Sequence, residues 1–595
     1  MDTDNLSDFT ADRRLILLSV LAAAIGIISA WLASALLSLI AFFTNVFFFQ
    51  RLSFAPASPA DHTLGWLVLA VPAAGGLVVG VMARYGSERI RGHGIPEAIE
   101  SILIGGSRVE PKLAVLKPVS AAVSIGSGGP FGAEGPIIMT GGAFGSLIAQ
   151  FFHLSSAERK TLLVAGAAAG MSATFATPLA AVLLAVELLL FEWKPRSFVP
   201  VALASVTAAA ARRYVLGLGP LFPVHPHPLF IGPSGLAGCI AAGLAAGVLS
   251  LLVTRAVYAS EDAFARLPIH WMWWPAIGGL AIGAGGLMFP QALGVGYETI
   301  GALLQGDVPR NVLLGILLVK SSIWAIALGS GTSGGVLAPL LMMGGALGGV
   351  EAAVLPDLGV GFWPLVSMGA ILGGTMRSPF TGVVFAVELT HDLNMILPLL
   401  IAVTVAHAFT VLTLKRSILT EKVSRRGYHL TREYDVDPLE ILFAREVVRT
   451  NVVALSSDTT AAAAREIVSG SSRERRRQRL YPVVDRGQQL RGVVTRNELE
   501  RWLRERPDVS RLEEIVTPSV VVAYPDEPLR AIAYRMASTG LTRFPVVERG
   551  EDRTLIGMIS LTDLLHGRTR TLEAERRRER LLSLRIAIPA AKDRL

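Results

Sequence analysis

The stretch GSGGPFGAEGPIIMTGGAFG, Gly126–Gly145, recurs without gaps as GSGTSGGVLAPLLMMGGALG, Gly329–Gly348, with ten of twenty positions identical at an offset of 203. Further along, PLAAVLLAVEL (Pro178–Leu188) matches PFTGVVFAVEL (Pro379–Leu389) at an offset of 201. Two matches in the same order at nearly one offset define two homologous halves, roughly 15–220 and 233–414. Within the repeat one carboxylate, Glu134, sits in a glycine-rich break where the second copy has Leu337. A charge in so apolar a setting is costly unless something compensates it.

The setting is a chain of 595 residues, 52% hydrophobic and 17% charged, with 59 glycines. Residues 1–414 hold 20 Lys+Arg and 21 Asp+Glu, whereas residues 415–595 hold 35 and 26. The first part is too apolar for a water-soluble domain and the second is basic and polar, so two solvents are implied, bilayer and water. Apolar runs near the ~20 residues that a bilayer core requires fall at Leu15–Ile40, Leu64–Met82, Leu236–Val253, Val312–Leu328 and Ile396–Leu414. Arg13 and Arg14 precede the first run, and Lys415, Arg416, Lys422, Arg425 and Arg426 follow the last. The positive-inside tendency then puts both termini in the cytoplasm of a cell (inner) membrane protein. The acidic start MDTDNLSDFTADRR carries no cleavable signal, and the lone Cys239 excludes an internal disulfide framework. The basic excess lies beside a membrane and fits anionic lipid, so no nucleic-acid partner is expected.

Glycine-rich breaks between apolar segments, placed in two repeats, are what transporters with discontinuous helices show. Irregular backbone survives at membrane depth only when it is buried in protein or lines a cavity. A helix that opens at such a break offers free N–H groups and a positive dipole end to an anion. Glu134 would then be an anion built into an anion site. The alternative, that the glycines only let helices pack closely, leaves Glu134 unexplained.

GHGIPEA (Gly92–Ala98), GAEGP (Gly132–Pro136) and GGVLAP (Gly334–Pro339) resemble, in that order and spacing, the three anion-lining segments of the CLC chloride channels and transporters. The resemblance implies a polytopic, all-α membrane fold with an inverted internal repeat over residues 1–425, assembled as a homodimer with one pore per subunit. It also implies that Glu134 is the gate, a carboxylate that occupies a chloride site and leaves when protonated or displaced. The implied anion-binding residues are His93, Gly94, Ile95 and Pro96 of the first segment, and Gly132, Ala133 and Gly135 of the second. Gly335, Val336 and Leu337 of the third segment complete them, together with Leu393 of LTHDLNMILP.

Several positions depart from the family pattern. His93 stands for a serine, Ala133 for an arginine, Leu337 for a phenylalanine and Leu393 for a tyrosine whose hydroxyl faces the ion. Leu188 occupies the inner proton-relay position that is a glutamate in many coupled members. Its neighbour Glu187 and the repeat mate Glu388 read as structural carboxylates. One residue around a helix is a turn of ~100°, so Glu187 is a poor substitute for the relay. Lys117 and its repeat mate Lys320 either add positive potential to the pore or pair locally.

The polar tail repeats too. LYPVVDRGQQLRGVVTRNEL (Leu480–Leu499) parallels RFPVVERGEDRTLIGMISLTDLL (Arg543–Leu565). Each gives a strand, a turn, a strand, then a hydroxyl opening a helix three residues before an acid. This resembles a tandem CBS pair, an α/β regulatory domain with repeats at 444–507 and 512–570, followed by a basic tail at 571–595. The resemblance implies adenine nucleotide (ATP, ADP or AMP) held by Ser560 and Asp563. Thr495 keeps the hydroxyl of the first repeat, with Glu498 in place of the usual aspartate. A purely structural pairing module is the alternative, and the basic run Arg473–Arg479 reads as a solvated loop.

No His is followed by Glu as a zinc-protease helix requires, no GxxxxGK[ST] is present, and no metal site is indicated. The chain is therefore expected to be no enzyme but a glutamate-gated transporter of chloride. Nitrate and fluoride are more distant choices of anion. Leu188 and Leu393 favour a voltage- or pH-gated channel, and a chloride/proton antiporter is the alternative.

Overall fold

The computed structural model describes residues 13–103, 107, 109–426, 439, 442–469, 478–505, 510–550 and 553–576. The acidic start, most of the linker after 426, nearly all of Arg473–Arg479 and the tail beyond 576 lie outside the described residues. The chain forms two compact units, 1–432 and 433–595.

The first unit is helical. Helices α1 (Arg14–Phe49), α2 (Ala70–Tyr85), α3 (Ile95–Leu103), α4 (Pro111–Gly126), α5 (Glu134–Gln150), α6 (Ser156–Phe175), α7 (Pro178–Leu184) and α8 (Pro195–Arg212) make the first half. The second half comprises α9 (Pro233–Ala265), α10 (Trp274–Met288), α11 (Tyr297–Gln305), α12 (Arg310–Gly315), α13 (Ser321–Gly329), α14 (Leu337–Glu351), α15 (Phe362–Met376), α16 (Pro379–Thr390), α17 (Ile396–Thr413) and α18 (Ile418–Arg425). Among the described residues five helical stretches are long and apolar enough to cross a membrane: Arg14–Phe49, Gly65–Tyr85, Pro233–Ala265, Arg310–Gly329 and Leu393–Arg425. Much of their exposed surface is apolar. Ile16, Val20 and Trp31 of α1 and Leu244 and Leu252 of α9 point outward, while Ala22, Ala30, Gly238 and Gly247 pack inward. That is the arrangement hydrocarbon solvent selects.

The glycines inside α5 and α14 serve packing. A Cβ on Gly141 would lie 2.2 Å from the Gly166 carbonyl oxygen, and one on Gly348 would lie 2.2 Å from that of Trp363. The close crossing of α5 on α6 is thus repeated by α14 on α15.

The two intramembrane glutamates of the repeat cap each other's half. The Glu187 carboxylate accepts from the N–H groups of Phe380 (3.2 Å) and Thr381 (2.9 Å) and from the Thr381 hydroxyl (2.6 Å) at the start of α16. The Glu388 carboxylate accepts from the N–H groups of Leu179 (3.0 Å) and Ala180 (2.8 Å) at the start of α7. Both helices open on proline and have no capping side chain of their own, so a carboxylate from the mate satisfies their free N–H groups.

In the second unit β1 (Leu455–Ser456) pairs parallel with β2 (Leu480–Val484), which pairs antiparallel with β3 (Leu490–Thr495). β4 (Arg543–Val547) pairs antiparallel with β5 (Leu555–Ser560). Ala523 bridges Val546 in parallel as Leu455 bridges Val483, so the second repeat keeps the third strand as a single bridge. Both hairpins shift register at the same place, Val483/Val484 and Val546/Val547. Alternate strand residues bury Tyr481, Val483 and Val494 in one core and Phe544, Val546 and Ile559 in the other.

Candidate anion path

Three glycine-rich segments meet inside the helical unit. The Gly335 N–H donates to the Gly132 carbonyl at 2.8 Å and the Gly132 N–H to that of Gly335 at 3.2 Å; Gly92 donates to Thr332 at 3.2 Å. A Cβ on Gly135 would fall 1.9 Å from the His93 carbonyl oxygen and 3.2 Å from Gly335 Cα. Backbone therefore meets backbone here, leaving no room for side chains. Ile95, Ala133, Val336 and Leu337 are fully buried around this junction.

Glu134 is the first residue of α5, and Leu337 the first of α14; neither helix has a side-chain cap. The Glu134 carboxylate is wholly enclosed. Facing it are its own N–H, the Ala338 N–H from the start of α14, and the Tyr297 hydroxyl. None of these makes a hydrogen bond of ordinary geometry, and both carboxylate oxygens are left without one. The glycines make the seat: a Cβ on Gly132 would lie 1.7 Å from Glu134 Oε2, and one on Gly335 would lie 2.7 Å from it. The carboxylate thus occupies the place where the openings of two helices converge, which suits an anion.

The first segment differs from expectation in its donors. The Gly94 N–H is already taken by Glu97 Oε2 at 2.9 Å, and Glu97 Oε1 pairs with Lys422 (3.1 Å) and Arg426 (3.2 Å). α3 is capped by its own carboxylate, so Gly94 is not an anion donor. Pro96 has no N–H to give. His93 is buried, its Nδ1 has no partner, and it lines a cavity of about 480 Å³ with Arg89, Arg91, Lys422, Arg425 and Arg426.

The cavity at His93 is lined by residues 88–93 that follow α2 and by Lys422, Arg425 and Arg426 at the end of α18. A second cavity of about 470 Å³ is lined by Pro56 from the loop after α1 and by Arg212, Tyr297 and Glu298 among others. Glu134 lines neither.

Lys117 and Lys320 are both fully buried. Lys117 Nζ donates to the carbonyls of Ile90 and Gly92, both at 2.7 Å, and to Ser333 Oγ at 3.1 Å. Lys320 Nζ donates to the Gly294 carbonyl at 2.8 Å. Each lysine fastens the turn that delivers a polar side chain to the path.

One expected residue is not where the motif reading put it. Leu393 is 69% exposed and lines neither cavity. The preceding Asp392 bonds the Asn394 N–H at 3.1 Å and the His227 ring at 2.6 Å, a turn that throws Leu393 outward. Leu188 is fully buried in a π-type turn, Ala185–Leu190. The hydroxyl that faces Glu134 comes instead from Tyr297. A signal for it existed: GVGY (Gly294–Tyr297) repeats GHGI (Gly92–Ile95) at an offset of 202, between the two offsets already noted.

In the second unit, Ser560 and Asp563 form a helix cap: Ser560 N–H and Oγ donate to Asp563 Oδ2 at 2.9 and 2.5 Å. Thr495 and Glu498 do the same at 2.8 and 2.7 Å. Ser560 and Asp563 line a large cavity. Asp563 there also pairs with Arg449 at 2.5 Å, and Arg449, Arg479, Arg543, Ser560 and Asp563 line about 730 Å³.

A family model described as voltage gated chloride channel matches residues 75–411, and the CBS domain model matches 444–505 and 512–569. A putative chloride channel protein, ClcB-like, of Ralstonia nicotianae is 30% identical over 57% of this chain and 81% of its own length. An H(+)/Cl(-) exchange transporter ClcA of Salmonella arizonae is 32% identical over 52% of this chain and 68% of its own. The fold is shared with a solved slow cyanobacterial Cl-/H+ antiporter, with a TM-score of 0.61 at 22% identity over 69% of this chain and 97% of that one. A eukaryotic CLC transporter aligns with a TM-score of 0.57 at 20% identity over 92% and 98%. With its gate-like carboxylate, its repeated broken helices and its CBS tail, this chain belongs to the voltage gated chloride channel (CLC) family of membrane anion transporters.

Proposed function

We propose that the protein exchanges chloride for protons across the membrane, with Glu134 as the carboxylate that alternately fills the anion seat and carries a proton. The observation that carries this reading is the Glu134 carboxylate itself. It is enclosed, lacks an ordinary hydrogen bond, and lines neither of two separate cavities, one lined by His93 and the other by Tyr297. A charged carboxylate there blocks the seat and competes with chloride, whereas a protonated one has no reason to stay. The relatives named H(+)/Cl(-) exchange transporters support coupling.

The channel expectation rested on two leucines, and one of them no longer bears on the path, since Leu393 faces outward. Leu188 still offers no carboxyl. A proton arriving from the face of His93 therefore has to travel by water or by the imidazole itself, which can release a proton from one nitrogen while taking one on the other. The same ring is the donor that an incoming anion meets. Chloride is the proposed substrate, the face of the Arg- and Lys-lined cavity is the proposed cytoplasmic one, and a homodimer is the proposed assembly.

The test is chloride flux from proteoliposomes clamped at zero voltage, with external pH recorded. Wild type should drive protons uphill against a chloride gradient, and Glu134→Gln should keep chloride flux while losing both proton movement and pH dependence. Chloride flux without proton movement in the wild type would return the protein to the channels. In parallel, His93→Ser should alter the order of chloride, nitrate and fluoride fluxes.

A further inference from the structure

We infer that Tyr297 is the positioning residue of the gate: its hydroxyl steadies the Glu134 carboxylate in the anion seat and separates it from the cavity lined by Tyr297. The inference rests on Glu134 being the gate. Four observations lead to it. The Tyr297 hydroxyl is buried, faces Glu134, and has no hydrogen-bond partner of its own. Tyr297 lines the 470 Å³ cavity that Glu134 does not reach, while its hydroxyl faces Glu134. The ring is held from the sides by Phe175, edge-on at 6.3 Å, and by Phe222 at 6.2 Å.

The fourth observation concerns the backbone. Gly296, immediately before Tyr297, has φ +80°, and a Cβ there would lie 2.9 Å from Met342 Sδ and 3.7 Å from Lys320 Nζ. Lys320 also donates to the Gly294 carbonyl at 2.8 Å, so the turn that presents the tyrosine is anchored at both of its glycines. The first half carries Ile95 at the equivalent place, a residue without a hydroxyl. The device is one-sided.

Chemically, a phenol is a donor to a carboxylate, and a hydrogen bond to a charged group is worth more than one to its neutral form. The hydroxyl therefore favours the charged, blocking state. The other ionisable groups around this pair are Lys320 behind the turn, Arg212 and Glu298 on the cavity wall, and His93, whose carbonyl packs on Gly135. None of them bonds Glu134.

The experiment uses the full chain in proteoliposomes and a double-mutant cycle of Tyr297→Phe and Glu134→Gln, read as chloride flux against pH on the Tyr297 side. Phenylalanine keeps the ring and removes only the donor. In the Tyr297→Phe protein the pH of half-activation should rise by about one unit, since a charge-assisted hydrogen bond is worth roughly ten-fold in the equilibrium it biases. In the Glu134→Gln background the same change should alter flux less than two-fold, because no charge remains to be steadied (an order-of-magnitude bound). An unchanged half-activation pH overturns the inference, and so does an equal loss of flux in both backgrounds, which marks the ring as packing only. If Glu134→Gln alone keeps its pH dependence, the gate reading fails first, a result distinct from either.

Discussion

Lys117 and Lys320 hold the same place in the two halves of the helical unit, and each reaches from its helix to the backbone of a Gly-X-Gly turn. Glu187 and Glu388 cap each other's half in the same reciprocal way. Among the positions where the halves differ, three change the chemistry around the seat: Glu134 against Leu337, His93 against Val295, and Ile95 against Tyr297. Symmetry is kept where buried backbone needs partners and broken where a path must tell one end from the other. A path lined identically from both ends would offer the same donors on each side. Here an imidazole waits on one side and a phenol on the other, with one movable charge between them.

The largest expected effect comes from the glycines that make the seat. Gly335→Ala places a methyl 2.6 Å from the Gly132 carbonyl oxygen and 2.9 Å from the Gly135 nitrogen, both backbone atoms that cannot yield. Overpacking of this kind costs roughly 1–3 kcal/mol and more where the surroundings are rigid, so little monodisperse protein should be recovered. Gly132→Ala meets the Glu134 carboxylate itself, at 1.7 Å and 2.4 Å. That carboxylate can swing aside. Gly132→Ala should fold and conduct chloride with its pH dependence weakened, a phenotype near that of Glu134→Gln. Size-exclusion profiles and flux on the two variants separate these outcomes, and equal behaviour would mean the seat is not shaped around the carboxylate.

Next in size is the capping pair. Replacing either glutamate by glutamine turns an acceptor into a mixed donor and acceptor in front of two N–H groups, at a cost of about 2 kcal/mol. Glu187→Gln should lower the thermal midpoint in detergent slightly more than Glu388→Gln, because the Thr381 hydroxyl bonds only Glu187. Neither should change the ratio of protons to chloride. Loss of coupling in Glu187→Gln alone would break the symmetry argument and make Glu187 the relay that Leu188 is not.

The halves were legible because their repeats are written in glycine and proline, residues whose spacing survives when side chains drift. Glu134 stood out for the same reason, as a charge inside a pattern that its mate does not share. What stayed hidden depended on turns. Nothing in LTHDLNMILP says that Asp392 will bend back to His227, a residue 165 positions away, and carry Leu393 to the outside. Likewise the Gly94 amide looked free until Glu97, three residues on, closed over it. Tyr297 was visible in principle through GVGY, but a four-residue echo has little weight until Lys320 is seen to anchor it.

The smallest expected effect tests whether the CBS pair breaks its own symmetry in the same manner. Thr495–Glu498 and Ser560–Asp563 are equivalent caps, and the latter opens on a cavity with three arginines. A capping box alone is worth about 1 kcal/mol to its helix, and Glu498→Ala should show that loss and nothing else. Asp563 has a second partner, Arg449, on the cavity wall. If adenine nucleotide binds there, its phosphates would draw on the arginines and its ribose hydroxyls on Asp563. Asp563→Ala should then weaken ATP, ADP or AMP binding to the full-length protein by about ten-fold, the worth of one hydrogen bond to a charged group, while Glu498→Ala leaves it unchanged. Titration calorimetry in detergent reads both. No heat with any of the three nucleotides would leave Ser560 and Asp563 as a cap like their mates and the CBS pair symmetric in purpose as well as in fold.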